Sequence, residues 1–359
     1  MPPKPLPGIL DIEPYKGGES VLPGIAKPIK LASNENALGA SAAALKAFAD
    51  AASKSHLYPE GRATVLRNAI AARYGLDPER IVCGAGSDEI FHLLGSAYLA
   101  PGDEIVQSEH GFLVYRIVAQ TAGAATISAP DRDFTVDVDA MLAAVTAKTK
   151  MVFLANPNNP TGTYLPFAEV RRLHAGLPED VLLVIDAAYA EYVRRNDYEA
   201  GVALVSEFDN VVMTRTFSKI HGLAALRLGW AYGPAAVIDV LNRIRTPFNV
   251  STAAQMAGVA AIEDTGFVER TIEHNASELD RVSAGLQSYG ITITPSVGNF
   301  VLAHLPKGKA ADADAFLRSR GLIVRRVAAY GLPDALRISI GTTAENDALL
   351  AAMKDLPAS

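Results

Sequence analysis

The stretch Val181-Leu-Leu-Val-Ile-Asp-Ala-Ala-Tyr189 indicates the fold class. It begins with five aliphatic residues, which is typical of a strand buried on both faces of a parallel sheet. Similar short apolar runs lie at residues 80–83, 104–107, 125–128, 151–154 and 211–213, and helix-length segments separate most of them. Strands that alternate with helices indicate βαβ units. The sequence therefore predicts an α/β fold with a mainly parallel sheet covered by helices on both faces.

Two further regions flank this pattern. Residues 1–30 are rich in proline and are predicted to form an extended N-terminal arm. After Trp230 the pattern changes to helical segments at 234–244 and 252–289, followed by a mixture of strands, including 322–325, and helices. We therefore expect a large domain over residues 31–246 and a smaller α+β domain over residues 247–359.

The composition favours a soluble cytoplasmic protein. The chain has 359 residues, of which 49% are hydrophobic, and a net charge of −6, which disfavours nucleic acid as a partner. Its one cysteine, Cys83, cannot form an intrachain disulfide, and its seven histidines lack the spacing of metal ligands. The N-terminus has no apolar signal-peptide core, and Asp186 interrupts the most apolar run well short of a membrane span. We expect neither a metal nor a membrane as a partner.

Polar residues follow the predicted strands, where open α/β sheets bind their ligands. The four stretches are Gly84-Ala-Gly-Ser-Asp88, Asn156-Pro-Asn-Asn-Pro-Thr-Gly162, Asp186-Ala-Ala-Tyr189 and Thr216-Phe-Ser-Lys219. Each has an ordinary structural interpretation when it is taken alone: a glycine turn, an Asn/Pro turn, a capping or salt-bridged carboxylate, and a loop lysine. The case for a function therefore depends on the combination.

Together these residues predict a binding site for pyridoxal phosphate. Gly86 and Ser87 open a helix whose free N–H groups can hold a phosphate, and Arg227 offers a planar fork to the same anion. Asp186 suits a protonated pyridine nitrogen, while asparagine and tyrosine side chains from the same stretches suit a phenolate. Lys219 suits an aldehyde, provided that burial or neighbouring cations lower its pKa.

With these motifs in place, the chain resembles the fold-type-I pyridoxal-phosphate aminotransferases. The motifs are N-P-N-N-P-T-G, D-x-x-Y, T-x-S-K and R-x-G-W, and the similarity runs from Glu13-Pro-Tyr-Lys16 and Leu31-Ala-Ser-Asn-Glu-Asn36 to Leu336-Arg-Ile-Ser-Ile-Gly-Thr342. Two segments, Glu13-Pro-Tyr-Lys16 and Tyr58-Pro-Glu-Gly61, point to the histidinol-phosphate branch. The resemblance implies a seven-stranded, mainly parallel sheet between helices, a small α+β domain and an N-terminal arm.

The resemblance also implies a role for each site residue. Lys219 would bind the cofactor covalently and later carry the proton between substrate and cofactor, and Asp186 would pair with the pyridine nitrogen. Asn159 and Tyr189 would bind the phenolate oxygen, and Phe112 would stack on the ring. The phosphate would be held by Gly86, Ser87, Thr216, Ser218, Arg227 and, from the neighbouring subunit, Tyr58. A site completed by the partner would make the homodimer obligatory for activity.

The implied reaction interconverts histidinol phosphate and 2-oxoglutarate with imidazole acetol phosphate and glutamate. Arg337 matches the family arginine that grips the substrate anion, helped by Arg325 and Tyr15, with Asn159 also on the substrate side. The neighbouring Arg326 leaves the choice of second arginine open. The segment Glu109-His110-Gly111 replaces a Pro-Thr pair that many relatives carry before the stacking aromatic, so the shape of the substrate side also stays open.

Four other functions deserve comparison. An aromatic or broad-specificity aminotransferase would use the same site, with a phenylalanine or tyrosine ring in place of imidazole. A decarboxylase or carbon–carbon synthase is disfavoured by the arginine that retains the substrate anion. A cofactor-binding regulator would need a DNA-binding module, for which the arm is too short and too rich in proline. A dinucleotide-dependent dehydrogenase is disfavoured because Glu89 occupies the place of the third glycine in G-x-G-x-x-G.

Overall fold

The computed structural model describes residues 3–15 and 17–356, so Lys16 of the predicted arm motif lies outside the described residues. The helices are α1 (Ala42–Ala51), α2 (Thr64–Tyr74), α3 (Ser87–Tyr98), α4 (Leu113–Thr121), α5 (Val138–Ala143), α6 (Phe167–Ala175), α7 (Val202–Glu207), α8 (Ala235–Ile244), α9 (Thr252–Glu263), α10 (Thr265–Ser288), α11 (Ala310–Ser319) and α12 (Thr343–Lys354). The strands are β1 (Ile29–Lys30), β2 (Ile81–Gly84), β3 (Glu104–Ser108), β4 (Ala125–Ala129), β5 (Asp131–Arg132), β6 (Thr135–Val136), β7 (Thr149–Ala155), β8 (Leu182–Asp186), β9 (Val211–Thr216), β10 (Gly229–Tyr232), β11 (Thr292–Thr294), β12 (Phe300–His304), β13 (Leu322–Ile323), β14 (Arg325–Val327) and β15 (Leu332–Ser339).

A seven-stranded sheet in the order β2-β10-β9-β8-β7-β3-β4 forms the centre of the molecule. The neighbours from β9 to β4 pair in parallel, and β10 alone runs antiparallel to its neighbours β2 and β9. Successive residues of β8, such as Leu183 and Val184, contribute to two different apolar clusters, because side chains alternate between the faces of a strand. This confirms the predicted α/β fold, with a mainly parallel seven-stranded sheet between helices.

The parallel strands bring three of the predicted polar stretches to one edge of the sheet. Strands β7, β8 and β9 are adjacent, and they end at Ala155, Asp186 and Thr216. β2 runs in the same direction as β9, because both are antiparallel to β10, and it leads into the start of α3. The carboxyl ends of these strands therefore define one rim, where the site lies.

A second sheet of four antiparallel strands, in the order β11-β12-β15-β14, lies in the C-terminal part of the chain. It packs with α10, α11 and α12 around its own apolar cluster, which includes Val282, Leu317 and Leu349. β1 pairs in parallel with β13, so the end of the N-terminal arm is attached to this C-terminal part. Within the described residues, no helix is long and apolar enough to cross a membrane.

The helices and strands differ from the sequence prediction at specific places. The helical stretch predicted over 252–289 divides at Asp264, whose side chain accepts a hydrogen bond from the Phe267 backbone and so starts α10. The run at 322–325 divides between β13 and β14, which belong to different sheets. The domain boundary after residue 246 stays a prediction. Ala254 and Ala257 of α9 pack in the cluster of the large sheet, so the helical segment that follows this boundary lies against the large sheet.

Candidate active site

A cavity of about 240 Å³ opens at the rim formed by the strand ends. Twelve of the predicted site residues line it: Tyr15, Ser87, Phe112, Asn159, Asp186, Tyr189, Thr216, Ser218, Lys219, Arg227, Arg325 and Arg337. Gly86 lies directly behind Arg227, whereas Tyr58 does not reach the cavity. The structure therefore brings together residues that are separated by more than 300 positions in the sequence.

Lys219 lies on the turn that follows β9. The turn is held by the backbone N–H of Ser218, which donates to Thr216 Oγ1 at 3.1 Å. The Lys219 ammonium donates to the backbone carbonyl of Ser33 at 3.1 Å. Burial, and after it the positive charge of Arg337, lowers the pKa of Lys219 to about 8. A useful fraction of this lysine is therefore the neutral amine near neutral pH.

Asp186 is a buried carboxylate at the end of β8. It accepts hydrogen bonds from the Tyr115 hydroxyl at 2.6 Å and from the Ala188 backbone at 3.2 Å. Burial raises the pKa of Asp186 to about 6, although the bond from Tyr115 acts in the opposite direction. Among the described residues, no Lys, Arg or His makes a salt bridge to this carboxylate. A cation in the cavity would stabilise its charged form.

The start of α3 and Arg227 form a positively polarised end of the cavity. Gly86 precedes the helix with φ 80°, and a Cβ at this position would lie 2.5 Å from Arg227 Nη2. Arg227 donates to Ser218 Oγ at 3.3 Å and to Asp88 Oδ2 at 3.1 Å. Ser87 is the first residue of the helix, so N–H groups of the first turn face the same region. This arrangement suits a phosphate.

Arg337 is buried and also lines the cavity. It donates to Asn159 Oδ1 at 2.5 Å and to the Ala32 carbonyl at 2.7 Å, but its Nε has no hydrogen-bond partner among the described residues. Tyr189 accepts a hydrogen bond from Asn34 Nδ2 at 2.9 Å, and burial raises the pKa of the Tyr189 phenol. A buried guanidinium with an unused donor is suited to an anionic ligand.

The N-terminal arm closes one side of the cavity. The ring of Tyr15 meets the ring of Phe112 edge-on, with 6.5 Å between centroids. Arg325 donates to the Gly17 carbonyl at 2.9 Å. Arg325 lines the cavity and Arg326 does not, because successive residues of a strand point to opposite faces. Of these two arginines, Arg325 is therefore the one placed to meet a ligand in the cavity.

Comparison with known proteins identifies the family. Residues 26–353 match the model of aminotransferase class I and II. The chain belongs to the class I and II aminotransferases. It is 60% identical over 353 residues to the histidinol-phosphate aminotransferase of Maricaulis maris, with 98% of each chain covered, and 57% identical over 358 residues to that of Rhodopseudomonas palustris strain TIE-1, again with 98% of each covered. The structure of histidinol-phosphate aminotransferase from Sinorhizobium meliloti, in complex with pyridoxal-5'-phosphate, superposes with a TM-score of 0.90 at 27% identity, covering 98% of this chain and 96% of that one.

The cavity of this aminotransferase fits pyridoxal phosphate by the chemistry of its side chains. The polarised end can take the phosphate, and the buried carboxylate of Asp186 lacks the cation that a protonated pyridine nitrogen would provide. Lys219 combines a lowered pKa with a position in the same cavity. The phosphate, the pyridine nitrogen and the aldehyde of the cofactor therefore each have a complementary group in the cavity.

Sequence reasoning gave no role to three residues that the structure places in this aminotransferase site. Asn34 holds the Tyr189 hydroxyl, and the Ser33 carbonyl holds Lys219. Both belong to the segment 31–36, which contributes to the resemblance but has no role implied by it. The Tyr115 hydroxyl donates a hydrogen bond to Asp186. Tyr115 lies in the first turn of α4, three residues after Phe112, which caps that helix. That spacing on a helix was the signal that could have identified Tyr115.

Proposed function

We propose that the chain is a pyridoxal-phosphate-dependent aminotransferase that interconverts histidinol phosphate and 2-oxoglutarate with imidazole acetol phosphate and glutamate, a reaction of histidine biosynthesis. The observation that carries the proposal is one cavity that holds a low-pKa lysine, a buried carboxylate and three arginines. The names of the 55–60% identical relatives support this reaction, and they do not favour the aromatic alternative.

The cofactor, when it is bound, supplies an electron sink that stabilises negative charge at the substrate Cα. Lys219 acts as the base and then the acid that moves the proton, a role that requires a pKa near neutral. Asp186 keeps the proton on the pyridine nitrogen, and Tyr115 fixes the orientation of that carboxylate. Asn159 and Tyr189, which both line the cavity, would orient the phenolate oxygen.

Two arginines explain how one site serves two substrates. Arg325 and Arg337 are directly opposite each other on β14 and β15, so their side chains project from the same face of the small sheet. Histidinol phosphate brings a phosphate, and glutamate brings a side-chain carboxylate. Both anions suit a pair of guanidinium groups, which can form bidentate hydrogen bonds to either.

We further propose that the enzyme is a cytoplasmic homodimer in which Tyr58 completes the partner's phosphate site. Tyr58 is 83% exposed and stacks on Phe248, with 4.7 Å between ring centroids. Leu45, Phe48 and Val65 of α1 and α2 are also exposed. Exposed apolar side chains of this kind suit burial by a second copy of the chain. The unpaired Cys83 agrees with a reducing compartment.

A half-reaction measured without keto acid tests the proposed function. Histidinol phosphate, phenylalanine or tyrosine is added separately to the purified holoenzyme, and the loss of the visible cofactor absorbance is followed. Fast conversion by histidinol phosphate and slow conversion by the other two is expected. Equal or faster conversion by the aromatic acids would identify a broad or aromatic aminotransferase instead. The Lys219→Ala variant is the control, and it should retain cofactor non-covalently without conversion.

A further inference from the structure

His110 connects the part of the site on the large sheet with the part on the small sheet, although the proposed reaction gives it no role. It lies on the turn between β3 and α4 and is buried. Its Nδ1 is 2.7 Å from the backbone carbonyl of Tyr330. Because a carbonyl can only accept, Nδ1 carries the hydrogen in this contact. The backbone carbonyl of His110 accepts in turn from Asn158 Nδ2 at 3.3 Å, next to the site residue Asn159.

The ring of His110 belongs to a column of three rings that crosses between the sheets. Phe134 lies in the middle, 6.1 Å from the His110 centroid and 4.6 Å from that of His304 on β12. Phe134 has φ 61°, a conformation that costs energy in a residue with a side chain, and its carbonyl accepts from Thr163 Oγ1 at 2.8 Å. Phe134 also packs against the cluster that contains Tyr330. The column of rings therefore contacts both the large-sheet part and the small-sheet part of the molecule.

The hydrogen bond from His110 to Tyr330 connects two functional parts of the cavity. Tyr330 lies between β14 and β15, the pair of strands that carries Arg325 and Arg337 and that we call the arginine ribbon. On the other side, Phe112 follows His110 by two residues and lines the cavity. A single side-chain hydrogen bond thus connects the turn that carries Phe112 to the turn between the two strands of the arginine ribbon.

We propose that His110 is a positioning residue that holds the arginine ribbon at a fixed distance from Phe112, and thereby sets the affinity for anionic substrates. The inference rests on the proposed function for the identity of those substrates. It predicts that the hydrogen bond, and not only the ring, is required. The segment Glu109-His110-Gly111, which left the substrate side open at the level of sequence, then has a physical purpose.

Two substitutions separate the hydrogen bond from the ring. His110→Phe keeps a ring against Phe134 but has no donor, whereas His110→Asn can place an amide N–H near the position of Nδ1. A matched control is His274→Phe, which removes a 3.0 Å bond from another histidine ring to a backbone carbonyl, that of Gly341. His274 does not line the cavity.

The holoenzymes are compared by calorimetric titration with maleate, a non-reactive dicarboxylate, by KM and kcat for histidinol phosphate, and by thermal unfolding. For His110→Phe we expect roughly fivefold weaker maleate binding and a similar rise in KM, the effect of one lost hydrogen bond, with kcat and cofactor retention nearly unchanged. His110→Asn should restore most of the affinity. His274→Phe should lower only the unfolding temperature.

Three results would overturn the inference: equal maleate affinity in His110→Phe and wild type, no rescue by His110→Asn, or no maleate binding by wild type. If His110→Phe does not fold, His110→Gln tests the same hydrogen bond, because a glutamine amide corresponds in position to Nε2 and not to Nδ1. The same loss of maleate affinity is expected, and unchanged affinity is the contrary result. Failure of wild type to convert histidinol phosphate would refute the proposed function. The maleate comparison would still decide the role of His110.

Discussion

Burial lowers the pKa of Lys219, and this predicts how the reactivity of its amine depends on pH. The pKa of Lys219 is lowered to about 8, mainly by burial and next by Arg337, so the neutral amine predominates above that pH. In the apoenzyme, we expect the rate of acetylation of Lys219 by acetic anhydride to rise about tenfold per pH unit below pH 8 and to level off above it. Mass spectrometry of the peptide that contains Lys219 measures this rate.

The same sample provides the control for this titration. Lys27 is exposed, so its labelling reports reagent stability at each pH. Replacement of Arg337 by methionine removes a positive charge near the amine, and the Lys219 midpoint should then move to higher pH. A labelling rate that still rises steeply above pH 9.5 in the original protein would contradict the role of burial.

Among the helices and strands, the start of α3 is expected to control cofactor binding. In Gly86→Ala, the new Cβ lies 2.5 Å from Arg227 Nη2 and forces the guanidinium away from the phosphate end. Gly75, which ends α2 with φ 68°, is a matched control because a Cβ there meets no atom within 4 Å. Both substitutions place a side chain at positive φ, 80° for Gly86 and 68° for Gly75, so each should cost about 1–3 kcal/mol of stability. Only Gly86→Ala should weaken pyridoxal phosphate binding, by about tenfold or more, given the loss of a charged contact.

Fluorescence titration of the two apoenzymes with pyridoxal phosphate and thermal unfolding without it measure these effects separately. Equal cofactor affinity in the two variants would show that Arg227 is not displaced, or that it does not hold the phosphate. A lower unfolding temperature in both variants, with weaker cofactor binding in Gly86→Ala alone, would confirm that backbone strain does not by itself determine cofactor affinity.

The elements also show which parts of the structure a sequence can predict. Buried parallel strands are continuous apolar runs, so β8 and the position of Asp186 at its end were predictable. Short strands such as β10 (Gly229–Tyr232) carry too few residues for a period to be visible. Contacts between distant segments, such as Asn34 with Tyr189, leave no local pattern. The chemistry of the site was therefore predictable residue by residue, but its supporting hydrogen bonds were not.

For the whole molecule, the proposed homodimer predicts that Tyr58 acts on the partner's site. The Tyr58 ring is 83% exposed in one chain and stacks on Phe248, a contact that Tyr58→Phe preserves. The substitution removes only the hydroxyl. If this hydroxyl donates to the cofactor phosphate, the homodimeric variant should bind pyridoxal phosphate roughly tenfold more weakly, the usual effect of losing a hydrogen bond to a charged group. Equilibrium dialysis with the cofactor measures the change.

Mixed dimers decide which chain supplies that hydroxyl. A dimer of one Tyr58→Phe chain and one Lys219→Ala chain has a single intact Lys219, in the chain that lacks the Tyr58 hydroxyl. If Tyr58 acts across the interface, this site receives its hydroxyl from the Lys219→Ala partner, so its cofactor affinity and its rate per active site should equal those of the original enzyme. If Tyr58 acts within its own chain, the same site should show the full defect of the Tyr58→Phe homodimer. Both hypotheses concern the same mixed dimer, and they predict opposite results for its single intact Lys219 site.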